Sequence, residues 1–390
     1  MTTDSATIAV LGAGTMGTGI AQIASTNNHN VVVYDPYKDV LEHSRKTLTR
    51  ILNRQVEKQR MTTDQVNGIL DRITHTSELK YLSEATLVIE AIIEDTEIKQ
   101  DLYKKVEPLV DRSAVIASNT SSLSIASLSS ALDQPQRFIG IHFFNPAPLM
   151  PLVEIVPAVI TDNSVTQQAR DLIDSWNKTT VLAKDLPGFI VNRIARPFYG
   201  EALRIYEEGL ADPATIDRAM KELGGFRMGP FELMDFIGND VNQKVSETVF
   251  EAFYYDPRFR PSLTQKRMAE AGLLGKKTGR GFYDYQEGAE SPTPDKNEKQ
   301  GNEILNRILT MLINQAADAC WLGVASKEEI DLAMTRGVNY PKGLLAWADE
   351  IGADEIVRRM DEYYSYFRED RYRCCPLLRE MASKSEKFFS

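Results

Sequence analysis

The sequence predicts an α/β domain with a largely parallel sheet, followed by an all-α region present in two tandem related copies. Short apolar, β-branched runs alternate with helical stretches in the first part of the chain, which is the pattern of βαβ units. Beyond Pro187 the pattern becomes helical, and this part of the chain matches itself at a shift of 114 residues. We therefore expect domains over 1–187, 188–285 and 301–390, with a polar linker over 286–300.

The first pattern along the chain is a βαβ unit. A strand over Thr7–Leu11 leads into Gly12-Ala-Gly14-Thr-Met-Gly17, a helical stretch follows, and the next strand ends at Asp35. This is the context of a Rossmann-type fingerprint, in which glycines let the backbone approach a pyrophosphate at a helix N-terminus. Asp35 would accept hydrogen bonds from ribose hydroxyls and repel a 2′-phosphate, so the pattern favours NAD over NADP.

Four further apolar runs predict more of the sheet. They are Thr86–Glu90, Ala114–Ala117, Arg137–His142 and Leu152–Val156. The first two are short and mostly apolar, as strands buried on both faces of a parallel sheet are. The last two flank Asn145-Pro-Ala-Pro-Leu-Met-Pro151, whose prolines predict a turn or loop. The charged stretch from Lys38 to about Leu70 is predicted to be helical, as is Phe189–Glu208.

One histidine differs from the other three by its position. His142 ends an apolar strand at the carboxyl edge of the predicted sheet, where open α/β sheets bind ligands. Glu154 lies twelve residues further on, with Pro148 midway, so a chain that folds back at this loop would make the two residues cross-strand neighbours. The positions of His142 and Glu154 fit either a structural role or a catalytic role for the pair. The remaining histidines are expected to face solvent: His29, His43 and His75.

Composition excludes several classes of protein. Lys+Arg 45 against Asp+Glu 55 gives a net charge of −10, so the chain lacks the general positive field that holds nucleic acid or an anionic membrane surface. No apolar stretch is long enough for a membrane span, and no secretory signal is visible. The three cysteines form neither a disulfide framework nor a metal-binding pair. We expect a cytoplasmic, metal-free protein.

The helical part of the chain repeats in register. Ile216-Asp-Arg-Ala-Met220 matches Ile330-Asp-Leu-Ala-Met334, and Asp235-Phe-Ile-Gly238 matches Asp349-Glu-Ile-Gly352. Chance matches would scatter over many offsets, whereas these keep a single shift. The helical domain is therefore predicted to be duplicated.

Five motifs resemble the 3-hydroxyacyl-CoA dehydrogenase family, over residues 7 to about 285. In chain order they are Ser118-Asn-Thr-Ser-Ser122, His142-Phe-Phe-Asn-Pro146, Pro151-Leu-Val-Glu-Ile155, Pro187-Gly-Phe-Ile-Val-Asn-Arg193 and Met228-Gly-Pro-Phe-Glu232. The resemblance implies NAD-dependent, reversible oxidation of an (S)-3-hydroxyacyl-CoA to the 3-oxoacyl-CoA. The tandem helical copies are similar to those of bacterial enzymes acting on 3-hydroxybutyryl-CoA or 3-hydroxyadipyl-CoA.

The resemblance also implies roles for individual residues. His142 would be the general base, Glu154 its orienting partner, Ser121 a hydrogen-bond donor to the substrate oxygen, and Asn192 a group that holds the substrate near the base. A lysine in the helix after the second strand, Lys58, would contact CoA. On the cofactor side it implies Gly12, Gly14, Gly17, Asp35, Glu94, Lys99, Ser121 and Asn145.

The same residues are compatible with two other kinds of protein. A crystallin-related sugar-acid dehydrogenase shares the serine–histidine–asparagine plan, and a non-catalytic NAD-binding protein could keep the fold.

In the second helical copy, Met228-Gly-Pro-Phe-Glu232 becomes Lys342-Gly-Leu-Leu-Ala346, which argues against a second active site. Because single-copy relatives dimerise through the helical domain, the second copy is expected to take the place of that partner, although a homo-oligomer is not excluded.

Overall fold

In a computed structural model that describes residues 6–389, the chain divides into two compact units, Met1–Leu186 and Pro187–Ser390. The first unit is built on one sheet whose strands are β1 Thr7–Leu11, β2 Asn30–Tyr34, β3 Ile73–Thr76, β4 Leu87–Glu90, β5 Val115–Ser118, β6 Phe138–Phe143, β7 Leu152–Pro157 and β8 Thr179–Leu182. Their order across the sheet is β3-β2-β1-β4-β5-β6-β7-β8. Neighbours are parallel except β6 and β7, which are antiparallel.

The predicted strands are confirmed, each within one residue of its expected ends. The central strands β1, β4, β5 and β6 are buried along almost their whole length, which is why each reads as an apolar run. The prediction missed β3 and β8, which form the two edges of the sheet. Their sequences, Ile-Thr-His-Thr and Thr-Thr-Val-Leu, are short and half polar, because an edge strand pairs on one side only.

Six helices cover the sheet. They are α1 Thr15–Thr26, α2 Lys38–Glu57, α3 Thr63–Asp71, α4 Thr96–Val106, α5 Ile125–Ser129 and α6 Asn163–Ser175. The single helical stretch expected from Lys38 to Leu70 is two helices, so that expectation was wrong in detail. The Thr62 hydroxyl accepts from the Gln65 N–H and the Gln65 side chain accepts from the Thr62 N–H, which starts α3 as a separate helix.

The second unit is helical. Its helices are α7 Val191–Ile194, α8 Arg196–Glu207, α9 Pro213–Arg218, α10 Pro230–Ile237, α11 Asn239–Ala252, α12 Leu263–Glu270, α13 Glu298–Trp321, α14 Lys327–Gly337, α15 Leu344–Ile351, α16 Ala353–Phe367 and α17 Pro376–Lys384. The helix expected over Phe189–Glu208 is divided at Ala195, since Pro197 has no N–H to continue the ladder and instead lies in the first turn of α8.

The tandem duplication is confirmed by the helix positions. Helices α9, α10 and α11 begin at Pro213, Pro230 and Asn239, and α14, α15 and α16 begin 114 residues later in each case. The polar stretch before the second copy lies outside helices up to α13, and its Asp295 is anchored to the first copy. The Asp295 N–H donates to the Thr215 hydroxyl (2.9 Å), and its carbonyl accepts from Arg218 (2.8 Å).

An aspartate fixes the start of α10 in the first copy and of α15 in the second. Asp217 accepts from the N–H groups of Phe231 (2.9 Å) and Glu232 (2.8 Å) at the start of α10. Its counterpart Asp331 accepts from the N–H groups of Leu345 and Ala346 at the start of α15 (2.8 and 2.9 Å). A carboxylate suits a helix N-terminus, where N–H groups lack partners within the helix.

A second aspartate ties a distant segment to each copy. In the first copy Asp235 accepts from the N–H groups of Phe282 (3.0 Å) and Tyr283 (2.9 Å). In the second copy Asp349 accepts from the N–H groups of Phe388 and Phe389, both at 2.7 Å. The C-terminal segment is therefore hydrogen-bonded to Asp349 of the second copy, just as the segment after α12 is hydrogen-bonded to Asp235 of the first.

The two copies hold each other through reciprocal arginines. Arg193 of the first copy pairs with Asp318 of the second (2.9 Å) and lies over the Phe253 ring (4.9 Å). Its counterpart Arg307 pairs with Glu201 of the first copy (3.1 Å) and lies over the Phe367 ring (4.6 Å). The two arginines are separated by 114 residues, as are the two phenylalanines, which is the relation expected of an approximately two-fold interface.

Within the described residues, no helix has the length and apolar composition needed to cross a membrane.

Candidate active site

The glycine turn between β1 and α1 has the shape that a dinucleotide requires. Gly12 has a φ of +101°, and a Cβ there would lie 2.7 Å from the Ala91 carbonyl oxygen. A Cβ on Gly17 would lie 1.8 Å from the Gly12 carbonyl oxygen, so neither position admits a side chain. At Gly14, by contrast, a Cβ would meet no atom within 4 Å. The turn is therefore tight against the protein and open at Gly14, in front of the N-terminus of α1, which fits a pyrophosphate.

Asp35 stands beside this turn. It directly follows β2 and is buried, with its carboxylate accepting from the N–H groups of Ala13 (2.9 Å) and Tyr37 (3.0 Å). These bonds fix a negative charge next to the glycine turn. A carboxylate held there suits the hydroxyls of a ribose and disfavours the additional phosphate of NADP.

A chain of carboxylates and one lysine lies at the carboxyl ends of β4 and β5. Glu90 is completely buried and accepts from Lys99 Nζ (2.6 Å), the Tyr103 hydroxyl (2.6 Å) and the Ser118 hydroxyl (2.7 Å). Burial and the neighbouring Glu90 carboxylate raise the pKa of Tyr103 well above its usual range. Sequence reasoning missed Glu90, because nothing in a strand-ending glutamate signals that three side chains converge on it.

Lys99 links this buried carboxylate to the loop that carries Ser121. Its Nζ is 3.2 Å from Glu94, whose Oε1 accepts from the Ser121 N–H (2.9 Å) and the Thr120 hydroxyl (2.5 Å). Burial opposes ionisation of Glu94, but Lys99 and these donors lower its pKa below the ordinary value. The structure thus brings together three residues expected on the cofactor side: Glu94, Lys99 and Ser121.

His142 and Glu154 are cross-strand partners, as their symmetric placement about Pro148 predicted. The antiparallel register of β6 and β7 sets them opposite each other, and His142 Nδ1 lies 2.6 Å from Glu154 Oε2. Both side chains are buried, at 6% and 0% exposure. A carboxylate at Nδ1 fixes the imidazole tautomer and ring orientation and stabilises the protonated ring.

The expectation that the other three histidines face solvent is wrong for His29 and only partly correct for His75. His29 is buried, not solvent-facing, and its ring lies 5.6 Å from that of Trp176. His75 lies in β3 and is half-buried, 3.4 Å from the Ser44 hydroxyl, whereas His43 is exposed as expected. Burial lowers the pKa of both His29 and His75. The sequence did not predict these contacts, because the residues next to His29 and His75 in the chain are polar and their contact partners lie in distant elements.

The remaining expected site residues are two in the first unit, Asn145 and Lys58, and one in the second, Asn192. Asn145 is exposed and starts the proline-rich loop after β6, with a cis bond to Pro146. Asn192 lies in α7 of the second unit and is half-buried. Lys58 is exposed at the C-terminal end of α2. Beside it, one face of α2 borders an open groove of about 600 Å³, lined by Glu42, Arg45, Lys46, Thr49, Arg50, Asn53 and Glu57.

The second helical copy also has an asparagine at the position equivalent to Asn192. The counterpart of Asn192 is Asn306, whose side-chain oxygen accepts from Arg359 (3.0 Å). Among the described residues there is also no cluster of His, Cys, Asp or Glu side chains suited to a metal ion.

The fold and the glycine turn define a dinucleotide-binding α/β protein with a helical second unit. Family profiles then identify the family to which this protein is similar. The profile described as 3-hydroxyacyl-CoA dehydrogenase, NAD binding domain, matches residues 7–186, and the profile for the C-terminal domain of that family matches 188–285 and again 304–387.

Individual relatives agree with these profiles. The chain is 35% identical to the 3-hydroxyadipyl-CoA dehydrogenase of Escherichia coli K12, over 96% of this chain and 97% of the relative. It is 39% identical to a 3-hydroxybutyryl-CoA dehydrogenase of Bradyrhizobium diazoefficiens, over 73% of this chain and 97% of the relative. A crystal structure described as 3-hydroxybutyryl-CoA dehydrogenase from E. coli K12 superposes with a TM-score of 0.92 at 33% identity, covering 98% of this chain and all of that one.

The chain belongs to the 3-hydroxyacyl-CoA dehydrogenase family. It is an NAD-dependent 3-hydroxyacyl-CoA dehydrogenase, with a Rossmann-type domain followed by two tandem copies of the helical domain. The predicted family, fold class, enzyme class and cofactor are therefore confirmed.

Proposed function

We propose that His142 is the general base for oxidation of the 3-hydroxyl group, with Glu154 as its orienting partner. The observation that carries this proposal is the 2.6 Å contact between the two buried side chains at the carboxyl edge of the sheet. A carboxylate at Nδ1 keeps the proton on that nitrogen and directs Nε2 as the acceptor. The same carboxylate stabilises the imidazolium that forms, and the ring returns the proton when the reaction runs in reverse.

The remaining side chains bind and orient. Ser121 donates its hydroxyl to the substrate oxygen, and its main chain is held by Glu94 (2.9 Å). Asn192 supplies a second neutral donor, which stabilises charge on the oxygen without competing for the proton. The glycine turn, Asp35, Glu94, Lys99 and Asn145 hold the cofactor. Acceptance of the hydride from the substrate is the chemistry that NAD supplies when it is bound.

We propose a short-chain 3-hydroxyacyl-CoA, such as 3-hydroxybutyryl-CoA, as the substrate. The full-length structural relative is described as acting on that substrate, at 98% coverage of this chain. A second candidate is 3-hydroxyadipyl-CoA, whose acyl group ends in a carboxylate. It is supported by the relative of that name, which matches 96% of this chain, including the second helical copy. Lys58 is the proposed contact for the CoA moiety.

The experiment is NADH oxidation with a panel of 3-oxoacyl-CoA thioesters. Acetoacetyl-CoA, a medium-chain analogue and 3-oxoadipyl-CoA are compared by kcat/KM at one NADH concentration. The highest value with acetoacetyl-CoA supports the short-chain proposal, and the highest value with 3-oxoadipyl-CoA replaces it with the second candidate. No turnover with any of the three, despite NADH binding, contradicts both substrate proposals.

We further propose that the second helical copy acts as an internal partner for the first, within a cytoplasmic protein. The reciprocal pairs of Arg193 with Asp318 and of Arg307 with Glu201 support this arrangement. The expected particle is therefore a monomer of 43.8 kDa. Light scattering coupled to size-exclusion chromatography tests it, and a mass twice as large at micromolar concentration contradicts it.

A further inference from the structure

Lys178 lies at the edge of the sheet that carries His142, outside the five motifs that resemble the family. It occupies the turn between α6 and β8, one residue before β8 begins. Because β8 is parallel to β7, with Thr179 paired to Leu152, this turn stands beside the point where the chain re-enters the sheet at β7. The Thr179 N–H donates to the Pro151 carbonyl at 2.8 Å. Lys178 therefore faces the end of the loop that connects His142 to Glu154.

The Lys178 ammonium holds that loop through main-chain oxygens. Nζ lies 2.7 Å from the Ala147 carbonyl oxygen, 2.8 Å from that of Met150 and 3.5 Å from that of Pro148. The Pro146 carbonyl accepts from the N–H groups of two residues further along, so the loop makes a single helix-like turn. The last carbonyls of such a turn lack N–H partners and carry partial negative charge, which a lysine can cap.

The same loop also rests on the dinucleotide-binding helix. A Cβ built on Gly19 of α1 would lie 3.0 Å from Pro148 Cδ and 3.2 Å from Ala147 Cβ. The loop is therefore packed directly on α1, two residues beyond the last glycine of the turn. It is held between the helix that receives the cofactor and the Lys178 ammonium. Burial lowers the pKa of Lys178 to about 8, so the ammonium persists at neutral pH.

We propose that Lys178 is a positioning residue that fixes the Asn145–Pro151 loop, and through it Asn145, for NAD binding. The proposal rests on the proposed function, in which Asn145 is a cofactor contact. Asn145 is exposed at the start of the loop, three residues after His142 and two before the first carbonyl that Lys178 holds. Without the ammonium, three carbonyls lose their donor and the loop can shift along α1, which moves Asn145 away from its binding position.

The test compares Lys178→Met with a matched variant, Thr161→Val. Thr161 is also half-buried, and its hydroxyl bridges the Phe138 carbonyl (2.6 Å) and the Ala158 N–H (2.8 Å) at the opposite end of β6 and β7. The dissociation constant of NADH, measured by NADH fluorescence, should rise about five- to tenfold in Lys178→Met, which lies within the range of coupling between neighbouring residues. It should stay unchanged in Thr161→Val, even where the two variants lose similar thermal stability.

A double variant separates this proposal from the proposed function. If Lys178 acts through Asn145, adding Lys178→Met to Asn145→Ala should change the NADH dissociation constant by less than twofold. A normal constant in Lys178→Met, with weakened binding in Asn145→Ala, overturns the positioning role and leaves the cofactor role of Asn145 in place. A normal constant in Asn145→Ala overturns both.

Gly19→Ala keeps the proposal testable if Lys178→Met does not fold. An added methyl group presses on Pro148 and Ala147 of the loop from α1. It should weaken NADH binding in the same direction, while alanine itself favours the helix. Unchanged NADH binding in this variant would then count against the loop as a determinant of cofactor affinity.

Discussion

At the scale of single residues, the site depends on carboxylates that are buried together with their donors. Glu154 and Glu90 are both fully buried, and each has a donor within 2.7 Å. These hydrogen bonds replace the contacts with water that a carboxylate loses on burial. Removing one member of such a pair therefore leaves its buried neighbour without that hydrogen-bond partner.

The substitution Glu154→Gln tests the proposed orienting role. It keeps the size of the side chain but removes the charge opposite His142 Nδ1 (2.6 Å). We expect kcat to fall on the order of a hundredfold or more, since the protonated imidazole loses its stabilising partner. The affinity for NADH should stay within about twofold, because Glu154 lies outside the proposed cofactor contacts. A kcat equal to that of the wild type contradicts the role given to Glu154.

Several site residues could be predicted from the sequence because local patterns carry them. His142 and Glu154 are symmetric about a proline loop, and the observed register pairs them. Glu90 and Lys178 could not be predicted, because their partners come from strands and turns far along the chain. A glutamate at a strand end or a lysine in a turn gives no local signal, and only the tertiary structure shows what each one holds.

At the scale of elements, the equivalent aspartates Asp217 and Asp331 accept hydrogen bonds from main-chain N–H groups at the start of α10 and of α15. The sequence showed the repeat through Asp235-Phe-Ile-Gly238 and its counterpart, but not the use of the C-terminal tail as the last segment of the second copy. Phe388-Phe389 and Phe282-Tyr283 fall at a different offset from the rest of the repeat. The loops between the helices differ in length, so matching at a fixed offset cannot align these segments.

Asp217 gives the second unit a predictable pH dependence. Burial raises its pKa to about 7, although Tyr283 and two main-chain N–H groups oppose the shift. The folded state therefore binds a proton more tightly than the unfolded chain between about pH 4 and 7, and this contribution to stability is lost as the pH rises through 7. In Asp217→Asn the contribution is absent. The difference in midpoint temperature, wild type minus variant, should fall between pH 5 and 7 and level off above 7.

The matched control for this prediction is Asp240→Asn. Asp240 pairs with Lys277, and this pairing with further hydrogen bonds outweighs burial and lowers its pKa below the ordinary value. Its ionisation is therefore complete throughout pH 5–8, so the corresponding temperature difference should be constant. An equally constant difference for Asp217→Asn would contradict the raised pKa of Asp217.

At the scale of the whole molecule, the two helical copies resemble the halves of a symmetric dimer joined in one chain. Each contributes an arginine stacked on its own phenylalanine and paired with a carboxylate of the other copy. The symmetry is approximate, because Asp318 corresponds to position 204, whereas Arg307 pairs with Glu201 and Glu208 on either side of it.

The substitution Arg307→Met tests whether this interface stabilises the second unit. It leaves the buried carboxylate of Glu201 without its closest cation, and loss of one partner from a buried pair typically costs about 3–5 kcal/mol. The control is Arg358→Met, whose ion pairs with Glu355 and Glu362 are on the surface and should contribute little. The midpoint of thermal unfolding, measured for both variants, should fall clearly only for Arg307→Met. Equal midpoints would contradict a structural role for the reciprocal arginines.

The measurement that tests the central claim most directly is turnover and NADH binding of His142→Gln with acetoacetyl-CoA. Glutamine keeps a polar side chain but cannot accept and return a proton as imidazole does. We predict that kcat falls on the order of a thousandfold, while the NADH dissociation constant stays within about twofold of the wild type. Turnover close to that of the wild type, with NADH binding intact, would remove His142 from the mechanism.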